Sequence, residues 1–282
     1  GARYEEITVM RDDWGKTDPD RSETPSKREH TMDVIVPGIG VEYAINEFQT
    51  VSVGVHKGFA PPGPGTSGVT DKAVDPETSM NTEIGFKSNK GLNSLEFTLF
   101  MNSYDNLLGA DTAASGGGSD ELFNGGAVDI SGFELYLRRI LVDNGRIQMP
   151  FELSWTNTSS EFQESFDGFW GDVSKGDELP YLPDTMIALN LGLNVDKLSA
   201  NISMKKTSEM RTVAGSGSIS ESNATDELTI IDLGMRYALQ DNIRLSVGIN
   251  NFMNDEGIAA RRPYGARPTM PRSFSLGVDY TF

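Results

Sequence analysis

The chain contains no cysteine, which removes disulfide frameworks, thiol catalysis and thiolate metal sites in one step. Histidine is almost as scarce. Only His30 and His56 occur, and no G-x-S-x-G wording stands in the sequence to supply a nucleophile. A lipase-type Ser-His pairing therefore has little to work with, and an isolated histidine without clustered Cys, His or Asp makes a poor metal ligand. The expectation is a protein that is not an enzyme, with no catalytic residues, no metal site and no cofactor of its own. Long apolar runs are missing as well. No stretch of eighteen apolar residues exists and mean hydropathy is −0.35, so no transmembrane helix is available. Basic residues are in deficit: 24 Lys and Arg stand against 41 Asp and Glu, for a net charge of −17. Without a basic stripe to neutralise phosphates, nucleic acid is excluded as a partner. The chain opens at Gly1 within a predicted strand, without a leader or initiator Met, and reads as a portion of something longer.

What the chain has is alternation. In the segment Ser273 to Phe282, SFSLGVDYTF, Phe274, Leu276, Val278, Tyr280 and Phe282 share one face, while Ser273, Ser275, Gly277, Asp279 and Thr281 share the other. A period of two with aromatics on one face and small polar residues on the other suits a strand between lipid and a wet or filled lumen. The same pattern recurs through residues 1–10, 34–45, 48–60, 80–86, 95–101, 133–137, 147–155, 187–193, 198–204, 231–237 and 243–249, which gives about twelve strands. Pro150 lies inside one of them and removes a ladder donor, so a bulge is expected there. The fold class read from this is all-β, an antiparallel transmembrane β-barrel wall.

Connection lengths support it. Tight turns at Asn46, residues 89–93, Asp143-Asn144-Gly145, Val195-Asp196 and Gln240-Asp241 alternate with long polar segments near 13–31, 61–76, 107–126, 159–182, 211–225 and 254–268. A barrel inserted from one side keeps short turns on its periplasmic end and long loops outside. A soluble sandwich has no reason for that alternation.

The wording of several segments is then informative. Residues 37–65, PGIGVEYAINEFQTVSVGVHKGFAPPGPG, resemble TonB-dependent outer-membrane receptors, nearest in wording to the ferric dicitrate receptor branch. EIGFK at 83–87, NSYDNLLG at 102–109, GDELPYLPD at 176–184, NNFMN at 250–254 and the terminal PRSFSLGVDYTF extend the resemblance over almost the whole chain. It implies the C-terminal half of a barrel of twenty-two strands, with residues 1–282 all barrel and no plug domain among them. It also implies import of a ferric chelate, iron entering only as part of that cargo. The implied location is the outer membrane of a Gram-negative bacterium, with lipid around the barrel and the TonB complex acting through the plug region. A passive twelve-stranded channel, an autotransporter-like pore and a surface adhesin are the competing readings.

Two loops offer candidate contacts. Arg261, Arg262, Arg267 and Arg272 reverse the sign of an acidic chain within a dozen residues, and guanidinium groups suit carboxylate recognition through paired donors. Arg261, Arg262 and Arg267 are the candidate substrate-binding set; contact with lipid phosphate or a neighbouring loop is the bland alternative. Phe166, Phe169 and Trp170, in the loop from Ser159 to Tyr181, are candidate aromatic contacts, against the commoner role of an interfacial girdle. His56 is expected to pack in the lumen.

Overall fold

The computed structural model describes residues 1–15, 17–61, 76–110, 122–168, 171–262 and 265–282. Twelve strands form a single antiparallel sheet in which each pairs with its neighbours in chain order. They are β1 (Ala2–Asp13), β2 (Ser26–Asn46), β3 (Gln49–Ala60), β4 (Glu77–Lys90), β5 (Asn93–Asp105), β6 (Val128–Asp143), β7 (Ile147–Phe162), β8 (Thr185–Val195), β9 (Leu198–Thr207), β10 (Leu228–Gln240), β11 (Ile243–Asn250) and β12 (Ser273–Tyr280). Among the described residues no pairing joins β1 to β12, so both keep one edge unpaired.

The period of two becomes two chemically different faces. On β12 Phe274, Leu276 and Val278 are 72%, 85% and 70% exposed, and Ile39, Val41, Ile84, Leu99 and Met101 join them on the apolar face. So broad an apolar surface is not sustainable in water and matches a lipid-facing wall. Phe133 and Trp155 meet edge to face on that side, with centroids 4.9 Å apart. The opposite face carries cross-strand ion pairs, Lys87 to Glu96 at 2.9 Å and Arg138 to Glu152 at 3.5 Å. His56 lies on this polar face, opposite Gly38 and Asn81.

Tight turns close one end. In the turn after β6 the Asn144 carboxamide oxygen accepts the backbone N–H groups of Arg146 and Ile147, and Gly145 takes φ +80°, which a side chain would resist. Arg146 then reaches the next turn and donates to Asp196 at 2.9 and 3.0 Å.

Two expectations need correcting. The polar segment near 13–31 is not all loop: β1 runs on to Asp13 and β2 begins at Ser26, paired directly with it. Polar residues past the lipid band keep the backbone ladder without showing a hydrophobic period, so the pattern could not mark them. The expected bulge is also displaced. The irregularity sits between Ile140 and Val142 on β6, opposite Pro150, rather than on β7 itself. On the other flank the β7–β8 ladder skips Pro150, and Gly192 makes room for its ring, since a Cβ there would stand 2.8 Å from Pro150 Cγ.

Buried side chains are few in the sheet and gather at the long-loop end. Val128 and Phe162 are fully buried and Val173 nearly so, with Tyr104, Leu107, Ile130, Phe166, Leu179 and Ala214 packed around them. The true core of this chain is therefore a loop core resting on the ends of β5, β6 and β7.

Candidate ligand-binding site at the long-loop end

Three long loops, residues 163–184, 208–227 and 251–272, are tied into one body. Arg211 is the first tie. Its side chain is 7% exposed and donates from Nε to Glu178 at 2.6 Å and from a terminal nitrogen to the Gly217 carbonyl at 2.9 Å. Backbone bonds run beside it, from Glu178 N–H to Gly215 O and from Tyr181 N–H to Arg211 O, both 2.8 Å. A buried charge is held only when paired and hydrogen-bonded, and Arg211 meets that condition.

Arg261 is the second tie. Its Nε donates to Ala224 O at 2.5 Å and a terminal nitrogen to Glu221 O at 2.6 Å, while its backbone N–H donates to the Tyr181 hydroxyl at 3.2 Å. One residue thus links the third loop to both others, through its side chain to the second and its backbone N–H to the first. Tyr181 holds φ +59°, rare for a bulky residue and sustained here by bonds on both sides. Asn251, 3% exposed, completes the knit. Its amide donates to Asp255 O and Met270 O, and its own N–H donates to Asp232.

Electrostatics follow the same geometry. Partial shielding from water, then the nearby Glu178 charge, raises the Asp184 carboxyl above its ordinary range, with Arg211 opposing. In the loop between β1 and β2, the N–H groups of Glu23 and Ser22 point at Asp18 and lower its carboxyl.

A short hairpin, Ile258–Ala260 against Arg267–Pro268, brings the predicted arginines to one tip. Their surroundings differ. Arg261 is engaged by loop carbonyls, Arg262 is half-buried and Arg267 exposed, and neither of the last two guanidiniums has a partner among the described residues. Arg272 donates to Phe252 O at 3.3 Å. Phe166 packs edge to face on Phe162, centroids 5.5 Å apart. Phe169 and Trp170 lie outside the described residues. Among the described residues no three His, Asp or Glu are grouped to hold a metal ion.

Arg211 and Glu178 were not singled out from sequence, yet Glu178 stands with Tyr181 in GDELPYLPD. In that word Asp177, Glu178 and Tyr181 each hold a loop contact.

The family of receptor walls described as "TonB dependent receptor-like, beta-barrel" matches residues 1–252. The chain belongs to this family. Solved structures agree in fold. The siderophore receptor PiuA from Acinetobacter baumannii superposes with a TM-score of 0.75 at 18% identity, covering 99% of this chain and 40% of that one. For the ferric yersiniabactin uptake receptor FyuA from Yersinia pestis the TM-score is 0.71 at 16% identity, covering 92% and 39%. The ferric-catecholate import receptor Fiu from E. coli gives 0.69 at 17%, covering 99% and 41%. No curated protein matches. The chain spans about 40% of the length of these solved receptors, and within the family the apolar face is the lipid side of a barrel wall and the polar face its lumen.

Proposed function

We propose that this chain is the C-terminal portion of the wall of an outer-membrane TonB-dependent receptor, and that the whole receptor imports an anionic ferric chelate, citrate-like in class. Family membership over residues 1–252 carries the transport reading. The unpaired edges of β1 and β12 favour additional strands, because open backbone groups in lipid cost several kcal/mol each. Contact with the TonB complex would belong to a plug segment outside these residues.

The chelate class rests on the arginine hairpin and on the wording of residues 37–65. Arg262 and Arg267 are the groups that meet the chelate; Arg261 holds the hairpin on its neighbours. A ring of guanidinium above the lumen concentrates anions and offers paired donors to carboxylates. Joint replacement Arg262→Gln and Arg267→Gln in the full receptor should weaken ferric citrate binding at least about tenfold, or 1.4 kcal/mol. A neutral ferric siderophore should bind unchanged. Unchanged affinity for both ligands contradicts the role, and an equal loss for both shows a damaged loop rather than a lost ligand contact.

A further inference from the structure

Arg272 shares the charge reversal of the hairpin arginines but not their place. It belongs to the apolar side of β12, where the outward row runs from Phe282 through Val278 and Leu276 to Phe274 and Arg272 is the next position on it. A strand needs about 9–11 residues to cross the hydrocarbon of a bilayer. With Phe282 at the short-turn rim, Arg272 therefore stands at the level of the outer headgroups. β9 repeats the arrangement, because its outward row of Leu198, Ile202 and Met204 ends on Lys206, which is paired with Ile187 on one side and Thr229 on the other. Two cations thus stand above the apolar face of β9 to β12, three strands and about 14 Å apart across the sheet.

The surface between them is apolar. Phe252 and Met253 follow β11, Met270 precedes β12, and the three are 42%, 63% and 71% exposed. Phe252 donates its N–H to Ile231 O on β10 and its carbonyl accepts from the Arg272 guanidinium at 3.3 Å, so it lies between the two cation-bearing strands. Large apolar side chains exposed together beside a lipid-facing wall mark a contact surface, and methionine moulds to irregular partners such as acyl chains. Both cations keep donors for an anion. Among the described residues the Arg272 side chain engages only the Phe252 carbonyl, and Lys206 has three donors with Glu227 its partner at 2.8 Å. Above the apolar face elsewhere the sign is opposite: Glu6 faces Asp33 across β1 and β2, and Asp129 faces Glu161 across β6 and β7. Anionic headgroups are repelled there and drawn to β9–β12.

We propose that the patch of Lys206, Phe252, Met253, Met270 and Arg272 binds a phosphate-bearing lipid of the outer leaflet, with phosphate on the two cations and the upper acyl chains on the apolar residues between them. The site is separate from Arg262 and Arg267, and it rests on the outer-membrane reading above but not on the identity of the cargo. Charge-assisted bonds to phosphate oxygens are of the stronger class. Two cations so far apart suit a headgroup that carries more than one phosphate.

The probe is lipid A with both phosphates, set against the same lipid dephosphorylated and against inorganic phosphate. Each is titrated into the full receptor purified in a neutral detergent, and bound lipid is counted by native mass spectrometry. Joint Lys206→Gln and Arg272→Gln should weaken lipid A binding at least about tenfold, while joint Arg262→Gln and Arg267→Gln leaves it within about twofold. Dephosphorylated lipid A should bind the unsubstituted receptor at least about tenfold more weakly than lipid A. Arg272→Lys should stay within about threefold, because an ammonium still attracts phosphate as a point charge; it keeps the test decisive if the glutamine pair fails to fold. Unchanged lipid A affinity in the Lys206→Gln, Arg272→Gln receptor overturns the proposal, as does equal binding of the two lipids or a loss at Arg272→Lys as large as that of the glutamine pair. Inorganic phosphate that displaces lipid A at equal concentration assigns the patch to a free anion and overturns the lipid. A receptor that fractionates away from the outer membrane fails the outer-membrane reading instead, and the two failures are distinct.

Discussion

Replacing Arg211 with alanine should loosen the loop body without disturbing the sheet. The substitution removes a charge-assisted bond to Glu178 at 2.6 Å and a bond to the Gly217 carbonyl at 2.9 Å, and it strips the guanidinium stem from a site where the side chain is 7% exposed. A charged hydrogen bond is worth about 1.5–3 kcal/mol and a neutral one about 1 kcal/mol. Glu178 is 45% exposed, so it regains water when its partner is lost and the first figure shrinks toward its lower end. A net cost of about 2–3 kcal/mol results, which corresponds to about 30- to 150-fold more frequent local opening. Amide hydrogen exchange on the purified full receptor reads this directly. The N–H groups of Glu178, Tyr181 and Thr212, bonded to Gly215, Arg211 and Asn223, should exchange faster by that factor, while amides in the β6–β7 ladder keep their rates. Glu178→Gln should cost less, because a neutral acceptor for the buried guanidinium remains. Unaltered exchange at all three amides in Arg211→Ala, or equal acceleration in β6 and β7, refutes the reasoning.

The two faces of β5 should respond oppositely to charge: Leu99→Arg places a cation on the lipid side near mid-strand and should cost about 2–4 kcal/mol in a bilayer unfolding titration, whereas Thr98→Arg, on the polar face, should cost under about 1 kcal/mol. Gly192→Ala forces a methyl against the Pro150 ring and should lower stability by about 1–3 kcal/mol in the same titration; no loss would show that the ring gives way freely. Asp18 predicts a pH dependence. Its folded-state carboxyl lies below its unfolded one, so its contribution is full above the unfolded value, near 3.9, and is lost as pH falls through the folded one. Exchange protection of the Ser22 and Glu23 amides should therefore hold from neutral pH to about 4 and drop below it, and Asp18→Asn should abolish that drop; a step near neutrality would contradict this.

The sheet was legible because its physics is local. Each strand in lipid must present apolar groups on one side only, so Phe274, Leu276 and Val278 announce their face in sequence, and the short turns announce the end they close. Strand limits past the lipid band were not legible, since Asp13 and Ser26 pair through backbone groups that every sequence shares. The loop body was harder still. Arg211 finds Glu178, and Arg261 finds the carbonyls of Glu221 and Ala224, across separations that no period or spacing encodes. The charge reversal at residues 261–272 falls on and just beyond this hairpin. It could not tell the arginine engaged by its neighbours from those without described partners.

Uptake of iron-labelled ferric citrate by cells carrying the full receptor, measured with the inner membrane energised and after its proton gradient is collapsed, tests the central claim most directly. The account predicts uptake that stops when the gradient is lost, while surface binding of the chelate persists. Equal entry in both conditions would contradict it and identify the wall as that of a passive pore.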